Sequence, residues 1–516
     1  MKQDRFKQGQ RRLGRTSVLR FGPCVLLGML CAVPVQLSSQ TAVQENLEKQ
    51  VQQLTDSMAR AQAQLEESQR QLEEMRSQIT ALKQQILDAN AESETNQGVA
   101  KLAKEVEAIR EQQTMQESQI ATHEQSKVES DSKYPVKLTG LILLNGFANT
   151  RRVDMVATPT IASAGSGSTG ASVKQTFLGF RARGPRLFGA TSHADLSIDL
   201  DGGSQPAGGS SGAYNGDILR LRTAHATLDW EHTQAYFSYD RPIVSPFSPD
   251  SLTAVAIPAL GWSGNLWTWN PQIGVTHDVS IAARQRLRLQ GAVIDVQNPP
   301  VLYNTPSTST PATNTPPSYA EQSRWLGVET RLALLGSSSE TGAQLGVGGF
   351  FAPHRSGGGI HWNAWAGTMD YRQPLPGQLE FEGSFYRGQS LGGLGGGAYK
   401  DYLFRVDPVT QGVTYFEVID DVGGWAQMKE RASERLEFNA AFGIDNVPAG
   451  QLRPYASTAN AIYQNLTRTR TYTGNVIFSP SAYLMFSLEY RRLMSSPVTG
   501  KTNPADIIGI AAGYKF

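Results

Sequence analysis

The sequence predicts an all-β transmembrane barrel of about 16 antiparallel strands, preceded by an α-helical coiled coil. Three observations predict it: period-two alternation from Val136 to the chain end, short and long connections that alternate between those segments, and a heptad repeat ahead of them. The last segment shows the alternation plainly. Ile508, Ile510, Ala512, Tyr514 and Phe516 share one face, with Ile507, Gly509, Ala511, Gly513 and Lys515 between them. The apolar face is expected to meet lipid and to set its terminal rings at headgroup level, leaving Lys515 and the small residues inside.

Composition points the same way. Charged residues make up 18% of the 516 and hydrophobic ones 40%, with 50 glycines. No apolar run reaches the roughly 20 residues that a membrane helix needs. Phe21 to Val35 comes nearest and is too short.

Residues 1–40 read as a secretory signal peptide. Lys2, Arg5, Lys7, Arg11, Arg12, Arg15 and Arg20 precede the apolar Phe21–Val35 core, and Ser38-Ser-Gln-Thr-Ala42 follows it. Arg11-Arg12 lacks the following residues of a twin-arginine signal, and Leu30 before Cys31 is too bulky for a lipoprotein site. Cys24 and Cys31 leave with this segment, so no disulfide or thiolate metal site is expected in the exported chain. Removing seven basic side chains and one acidic one leaves 40 against 45, a net charge of −5 that gives no case for nucleic acid.

Residues 43–97 are expected to form one helix. From Leu47 to Ala89 the core positions step alternately by four and three, with Ser68 as the polar exception, and no Gly or Pro lies between Val43 and Gln97. Such a repeat predicts a left-handed supercoil about 65 to 80 Å long. The g positions Gln50, Ser57, Gln64, Gln71, Gln78 and Gln85 carry no charge code, which favours self-association. A weaker heptad and a charged linker occupy 98–134.

The barrel is expected over 135–516. Ala194–Asp201, Gln378–Arg387 and Ser481–Arg491 each alternate apolar with polar residues. Short connections are expected at Arg183-Gly-Pro-Arg186, Gly336-Ser-Ser-Ser339, Gln373-Pro-Leu-Pro376 and Ser479-Pro-Ser481. Long ones are expected at Thr150–Lys174, Gly202–Gly216, Asp240–Gly264, Gln297–Gln322, Gly388–Gly424 and Asp445–Arg468. Short turns on one rim and long loops on the other suit an outer-membrane barrel, and 16 strands leave about 24 residues for each. A barrel of that size encloses an aqueous channel.

The third long loop carries Leu252, Val255, Ile257 and Leu260, apolar residues that favour burial against the inner wall. It is expected to fold inward as a constriction, with Asp240, Arg241 and Asp250 near the narrowest point. Arg181 and Arg183, Arg220 and Arg222, and Arg286 and Arg288 are each spaced two apart and so point to one side, expected to be the lumen. A lumenal arginine ladder would favour anions. Alternatively, the arginines balance Asp195, Asp199, Glu329, Glu380 and Glu382 on the same surface. Tyr514 and Phe516 form the expected assembly signal.

No catalytic set, metal site or cofactor is expected. Gly208-Gly-Ser-Ser-Gly212 and Gly165-Ser-Gly-Ser-Thr-Gly170 match hydrolase and dinucleotide patterns but lack the strand and helix context these need. The seven histidines are scattered.

The terminal strand ending in Phe516 resembles the closing strand of bacterial outer-membrane proteins, whose final aromatic the insertion machinery reads. Lys133-Tyr-Pro-Val-Lys-Leu-Thr-Gly140, Leu219-Arg-Leu-Arg-Thr-Ala224 and Gly264-Asn-Leu-Trp-Thr-Trp-Asn-Pro-Gln272, set in the order signal peptide, heptad helix, linker and barrel, resemble the DcaP-like trimeric porins. The phosphate-selective porins are a looser match. The resemblance implies a homotrimer in outer-membrane lipid, a periplasmic amino-terminal coiled coil and passage of small anions such as dicarboxylates. Passive diffusion of small hydrophilic solutes is thus the expected function. The rival is a structural tether in which the barrel is a plugged anchor and the coiled coil reaches towards peptidoglycan. A trimeric autotransporter would have a far shorter barrel segment, and an energy-coupled transporter a globular domain before the strands.

Overall fold

The computed structural model describes residues 136–516 apart from 203–217, 283, 302–316, 337–341, 357–358, 407–412 and 457–461, together with Arg70, Ser77 and Ala81, which are helical and exposed. The expected signal peptide at 1–40, coiled coil at 43–97 and linker at 98–134 otherwise lie outside the described residues.

The strands are β1 Val136–Val153, β2 Ala162–Ser172, β3 Phe177–Leu187, β4 Ala190–Asp199, β5 Arg220–Asp229, β6 Thr233–Asp240 and β7 Asn270–Ala282. Next come β8 Gln285–Ile294, β9 Gly327–Leu335, β10 Gln344–Arg355, β11 His361–Leu375 and β12 Leu379–Gln389. A hairpin follows, β13 Tyr402–Val406 with β14 Val413–Val418. The wall resumes with β15 Asp420–Ser433, β16 Leu436–Asn446, β17 Leu466–Phe478, β18 Leu484–Pro497 and β19 Asn503–Lys515.

All but the hairpin form one closed antiparallel sheet of 17 strands. They make 16 crossings of the barrel wall, because β2 and β3 share one place beside β1. Asn145–Val153 pairs with β2 and Val136–Leu141 with β3. Between the two halves Gln175 turns fully inward, and the Leu143 amide donates to Thr176 Oγ1 at 3.0 Å instead of to a ladder carbonyl.

Closure is made by β1 and β19, paired from Leu141↔Lys515 to Asn149↔Ile507. Beyond the strand, Gly140 and Phe516 exchange both backbone hydrogen bonds, at 2.9 and 3.1 Å. A side chain at position 140 would meet the Phe516 ring at 2.8 Å and the Phe177 carbonyl at 2.9 Å, so the seam needs glycine there.

Alternation sorts the side chains. On β19, Ile508, Ile510 and Tyr514 are 52%, 57% and 49% exposed, while Ile507 and Ala511 are 5% exposed. On β18, Leu484, Phe486, Leu488 and Tyr490 point out, whereas Ser487, Glu489 and Arg491 point in. The outside is an apolar belt and the inside is polar, the reverse of a soluble domain.

One rim carries loop 1 (154–161), loop 2 (200–219), loop 3 (241–269), loop 4 (295–326), loop 5 (356–360), loop 6 (390–419), loop 7 (447–465) and loop 8 (498–502). Tight connections lie on the other rim, at 188–189, 230–232, 376–378, 434–435 and 479–483, and β7–β8 and β9–β10 are also joined there.

Three connections differ from expectation. Arg183–Arg186 is an irregularity inside β3, and the reversal falls at Phe188-Gly189, where φ is 52° and 80°. Gly-Pro there adds one residue to one strand without turning it, while two successive positive φ values make the hairpin. Thr150–Lys174 is no long loop: its Gly/Ser run is β2, and Gly165–Gly170 lies in that strand. Small residues on both faces hid its period. Gln373–Leu375 completes β11, and the turn sits at Pro376-Gly-Gln378 with positive φ at Gly377 and Gln378. Loops 5 and 8 are short, so length does not mark every loop of that rim.

Removing Phe516, or changing Gly140→Val, is expected to cut the yield of folded barrel several-fold, read as the heat-modifiable band on unboiled gels. Conductance per surviving channel should stay unchanged; an unaltered folded yield in both variants would contradict the role given to this seam.

Candidate pore constriction

Loop 3 lies inside the barrel and runs once around its inner wall. It leaves β6 at Arg241, whose carbonyl accepts from Gln272 Nε2 at 2.8 Å. The Val244 amide then donates to Glu329 on β9, and Phe247 lies under the Arg372 guanidinium of β11 at 4.3 Å. At Asp250 the loop reaches β15 and β17. Its amide donates to Gln427 Oε1 at 2.8 Å, its carbonyl accepts from Asn475 Nδ2 at 2.8 Å, and its carboxylate pairs with Lys429.

The circuit continues past β18, where Ser251 and Thr253 hydroxyls both donate to Glu489. Leu252 packs against Leu141 and Leu143 of β1, and its carbonyl accepts from Asn145 Nδ2 at 2.8 Å. Gln175, at the break between β2 and β3, accepts from the Val255 and Ala256 amides and donates to the Thr253 carbonyl. Arg220 of β5 donates to the Ala256 carbonyl at 2.8 Å. An irregular chain buried in this way must find partners for its backbone, and the inward polar residues of the strands supply them.

Loop 3 then turns back towards loop 6. Trp262 stacks on Tyr399 with ring centroids 4.1 Å apart, and Trp267 packs edge-on to both Trp262 and Trp269. Ile161 of loop 1, Val301 of loop 4 and Leu452 of loop 7 join the same apolar core. Leu391–Lys400 is wholly buried, with Ala398 and Tyr399 in this core and Leu391 and Leu394 in a second one beside Leu266 and Ile294. Gly395, at φ 101°, lies where a side chain would meet the Trp267 ring at 2.9 Å.

Three carboxylates hold that segment. Asp401 accepts from the Gly392 amide, Asp421 from Gly397 and Asp445 from Ala398, at 2.8, 2.6 and 2.9 Å. The Lys400 ammonium donates to the carbonyls of Ala398, Tyr463 and Leu466 at 2.8, 3.1 and 2.7 Å, tying loop 6 to loop 7. Loop 1 is tied similarly, with Asp154 accepting from the Thr160 and Ile161 amides and from the Tyr463 hydroxyl. Burial raises the pKa of the Asp154 carboxyl against these hydrogen bonds.

The wall charges fall into two groups. Under the loop, pairs are sealed: Arg331 grips Asp370 with two hydrogen bonds of 2.8 and 2.6 Å, and both side chains are almost fully buried. Removing one partner of such a pair costs about 3 to 5 kcal/mol, because the other is left uncompensated. Elsewhere charges meet water. His225 bridges Asp195 at 2.8 Å and Asp240 at 3.0 Å, with the three side chains 25%, 38% and 32% exposed.

The expected site residues divide accordingly. Arg220 and Arg222 converge on Asp199, and both guanidinium groups lie over the Trp269 ring. Arg286 and Arg288 share Asp278 at 2.9 and 2.8 Å. Arg181 stands opposite Asp195 and Arg183 opposite His193 in the β3–β4 ladder, both exposed. Arg241 is pulled below its usual pKa by burial, opposed by Asp240 beside it. Asp240 and Asp250 sit at different strands, the first with His225 and the second with Lys429. Tyr514 and Phe516 are on the outer face at the opposite rim.

Residues that sequence reasoning missed are the loop's anchors, Asn145, Gln175, Gln427, Asn475 and Glu489, and the glycine-rich stretch of loop 6. For Asn145, Gln427, Asn475 and Glu489 the signal was a lone polar residue in mid-strand, whereas Gln175 lies between β2 and β3 and carried none.

No protein-family model matches the chain, and no curated protein matches it. Among solved structures it is similar to the outer membrane channel DcaP of Acinetobacter baumannii, at 14% identity and a TM-score of 0.52, over 75% of this chain and 99% of that one. The likeness shows the fold. Similarity extends to an anion-selective porin from Comamonas acidovorans, at 8% identity and a TM-score of 0.45, over 74% of this chain and 100% of that one. OprB of Pseudomonas putida gives 10% identity and a TM-score of 0.43, over 76% and 96%.

Docking of loop 6 should depend on pH. Burial lifts the Asp401 carboxyl to about 7, so its share of docking stability is present below its unfolded pKa of 3.8 and is lost as pH rises through 7. Burial lowers the Lys400 ammonium from 10.5 to about 7, so its share is present above 10.5 and lost as pH falls through 7. Amide protection of 391–398, corrected for intrinsic exchange, is therefore expected to fall between about pH 4 and 7, and less so in Asp401→Asn. An equal fall in wild type and variant would refute the assignment.

Proposed function

We propose that the chain is an outer-membrane porin, a water-filled channel for passive diffusion of small hydrophilic solutes. One observation carries this: Asp195, His225 and Asp240 stand inside a wall with an apolar outer face, yet remain 38%, 25% and 32% exposed. Water inside an apolar-faced closed sheet is the condition for a pore. Loop 3 would form the constriction, with Asp240, Arg241 and Asp250 at its margin. Loop 6 narrows the mouth above it.

The preference proposed is for anions, including dicarboxylates. Arg286 and Arg288 face one carboxylate, Asp278, and Arg181 and Arg183 are exposed on the same inner surface with Asp195 opposite the first, so four guanidinium groups stand against two carboxylates at these ladder positions. The DcaP channel is described as an outer membrane channel, which agrees with this placement. A homotrimer, with the heptad helix on the periplasmic side, completes the proposal. Tyr514 and Phe516 would serve recognition by the insertion machinery.

A plugged anchor tethered to the cell wall is favoured by one observation, the apolar core that loops 1, 3, 4, 6 and 7 build over the mouth. Deleting residues 43–130 separates the two readings. A porin is expected to conduct with or without them, whereas a plugged tether would pass no current in either form and would lose its hold on the cell wall once they are removed.

Reversal potential in a salt gradient tests the selectivity. Wild type is expected to favour anions, and Arg286→Ala with Arg288→Ala to reduce that preference about two- to threefold. Cation preference in wild type would overturn the anion assignment.

A further inference from the structure

Arginine is costly on the outer face of a membrane barrel except near its edges. Arg468 and Arg470 of β17 and Arg492 of β18 nevertheless lie on that face. They continue the outward set that includes Tyr472 and Tyr490, which are 44% and 48% exposed. Arg468 stands opposite Ser496, Arg470 opposite Met494 and Arg492 opposite Tyr472, so Arg470 lies about 7 Å from each of the other two, which are about 14 Å apart, and the three form an oblique row. The two tyrosines lie one step nearer the middle of the wall, and loops 7 and 8 lie just beyond. Aromatic rings mark the headgroup boundary, which puts the row at headgroup level on the loop side.

Neighbouring like charges on one sheet face repel. Asp506 pairs with Arg492 at 3.1 Å but also accepts from the Tyr490 hydroxyl at 2.7 Å. Arg468 donates to the neutral Asn446 at 2.7 Å, and Arg470 Nε has no hydrogen-bond partner among the described residues. One carboxylate is thus set against three guanidinium groups.

We propose that Arg468, Arg470 and Arg492 form a docking face for the phosphate-bearing headgroup of an outer-leaflet lipid. Guanidinium forks match phosphate oxygens, and an apolar wall below accepts the acyl chains. The inference rests on the outer-membrane placement proposed above.

The test uses the full chain in phosphatidylcholine nanodiscs with or without bisphosphorylated lipid A, extracted into detergent and weighed by native mass spectrometry. Wild type is expected to retain lipid A. The variant R468Q/R470Q/R492Q should retain it about tenfold less, and R387Q, which alters an outward arginine on β12, should match wild type. Equal retention by wild type and the triple variant would overturn the proposal. So would displacement of lipid A by inorganic phosphate at equal concentration, or dissociation of the assembly with lipid retention unchanged. Conductance of the same samples keeps the two readings apart: a triple variant that conducts but keeps lipid A defeats this proposal alone, whereas absence of insertion defeats the porin reading.

Discussion

The ladder between the first and last strands is the constraint on which the rest of the structure depends. In an apolar surround an unpaired strand edge leaves every second backbone group without a partner, at several kcal/mol each, so a spanning sheet must close. Here closure runs from Leu141↔Lys515 to Asn149↔Ile507 and ends in the reciprocal bonds of Gly140 and Phe516. Closing this sheet fixes its circumference. That circumference leaves an interior too wide for side chains alone to fill.

The interior is occupied instead by polypeptide, and loop and wall are complementary. Loop 3 brings backbone groups that need partners, and the wall brings Asn145, Gln175, Gln427, Asn475 and Glu489, which need them equally. Each hydrogen bond offsets the desolvation of both members. The break between β2 and β3 belongs to the same arrangement. Interrupting the ladder at Gln175 lets one side chain hold three backbone groups of the loop. Where the loop does not cover the wall, around His225, charged groups remain exposed, and the proposed solute path rests on them.

Much of the fold was legible because lipid on one side and water on the other impose a period of two. Leu484 to Arg491 and Ile507 to Phe516 carry that period without interruption, and their inside and outside faces follow directly. β2 was lost because Gly, Ser and Ala suit either face, and the Gly-Pro of β3 read as a turn because its backbone irregularity uses turn residues. The inward course of loop 3 was readable from its apolar residues. Its anchors were not, since each is a single polar residue at a different place on the wall and their convergence depends on register around the whole barrel. The arginine pairs were seen as inward-facing. Their partners, Asp199 and Asp278, depend on cross-strand register and on a shift between Ser197 and Ile198 that spacing does not reveal.

Planar-bilayer recording on the purified, folded wild-type chain tests the central claim most directly. The account predicts discrete conductance steps, grouped in threes if the assembly is a trimer, that persist at both polarities. Folded protein that inserts into the bilayer and yields no steps would contradict it, and would leave the barrel as a sealed wall around loops 3 and 6.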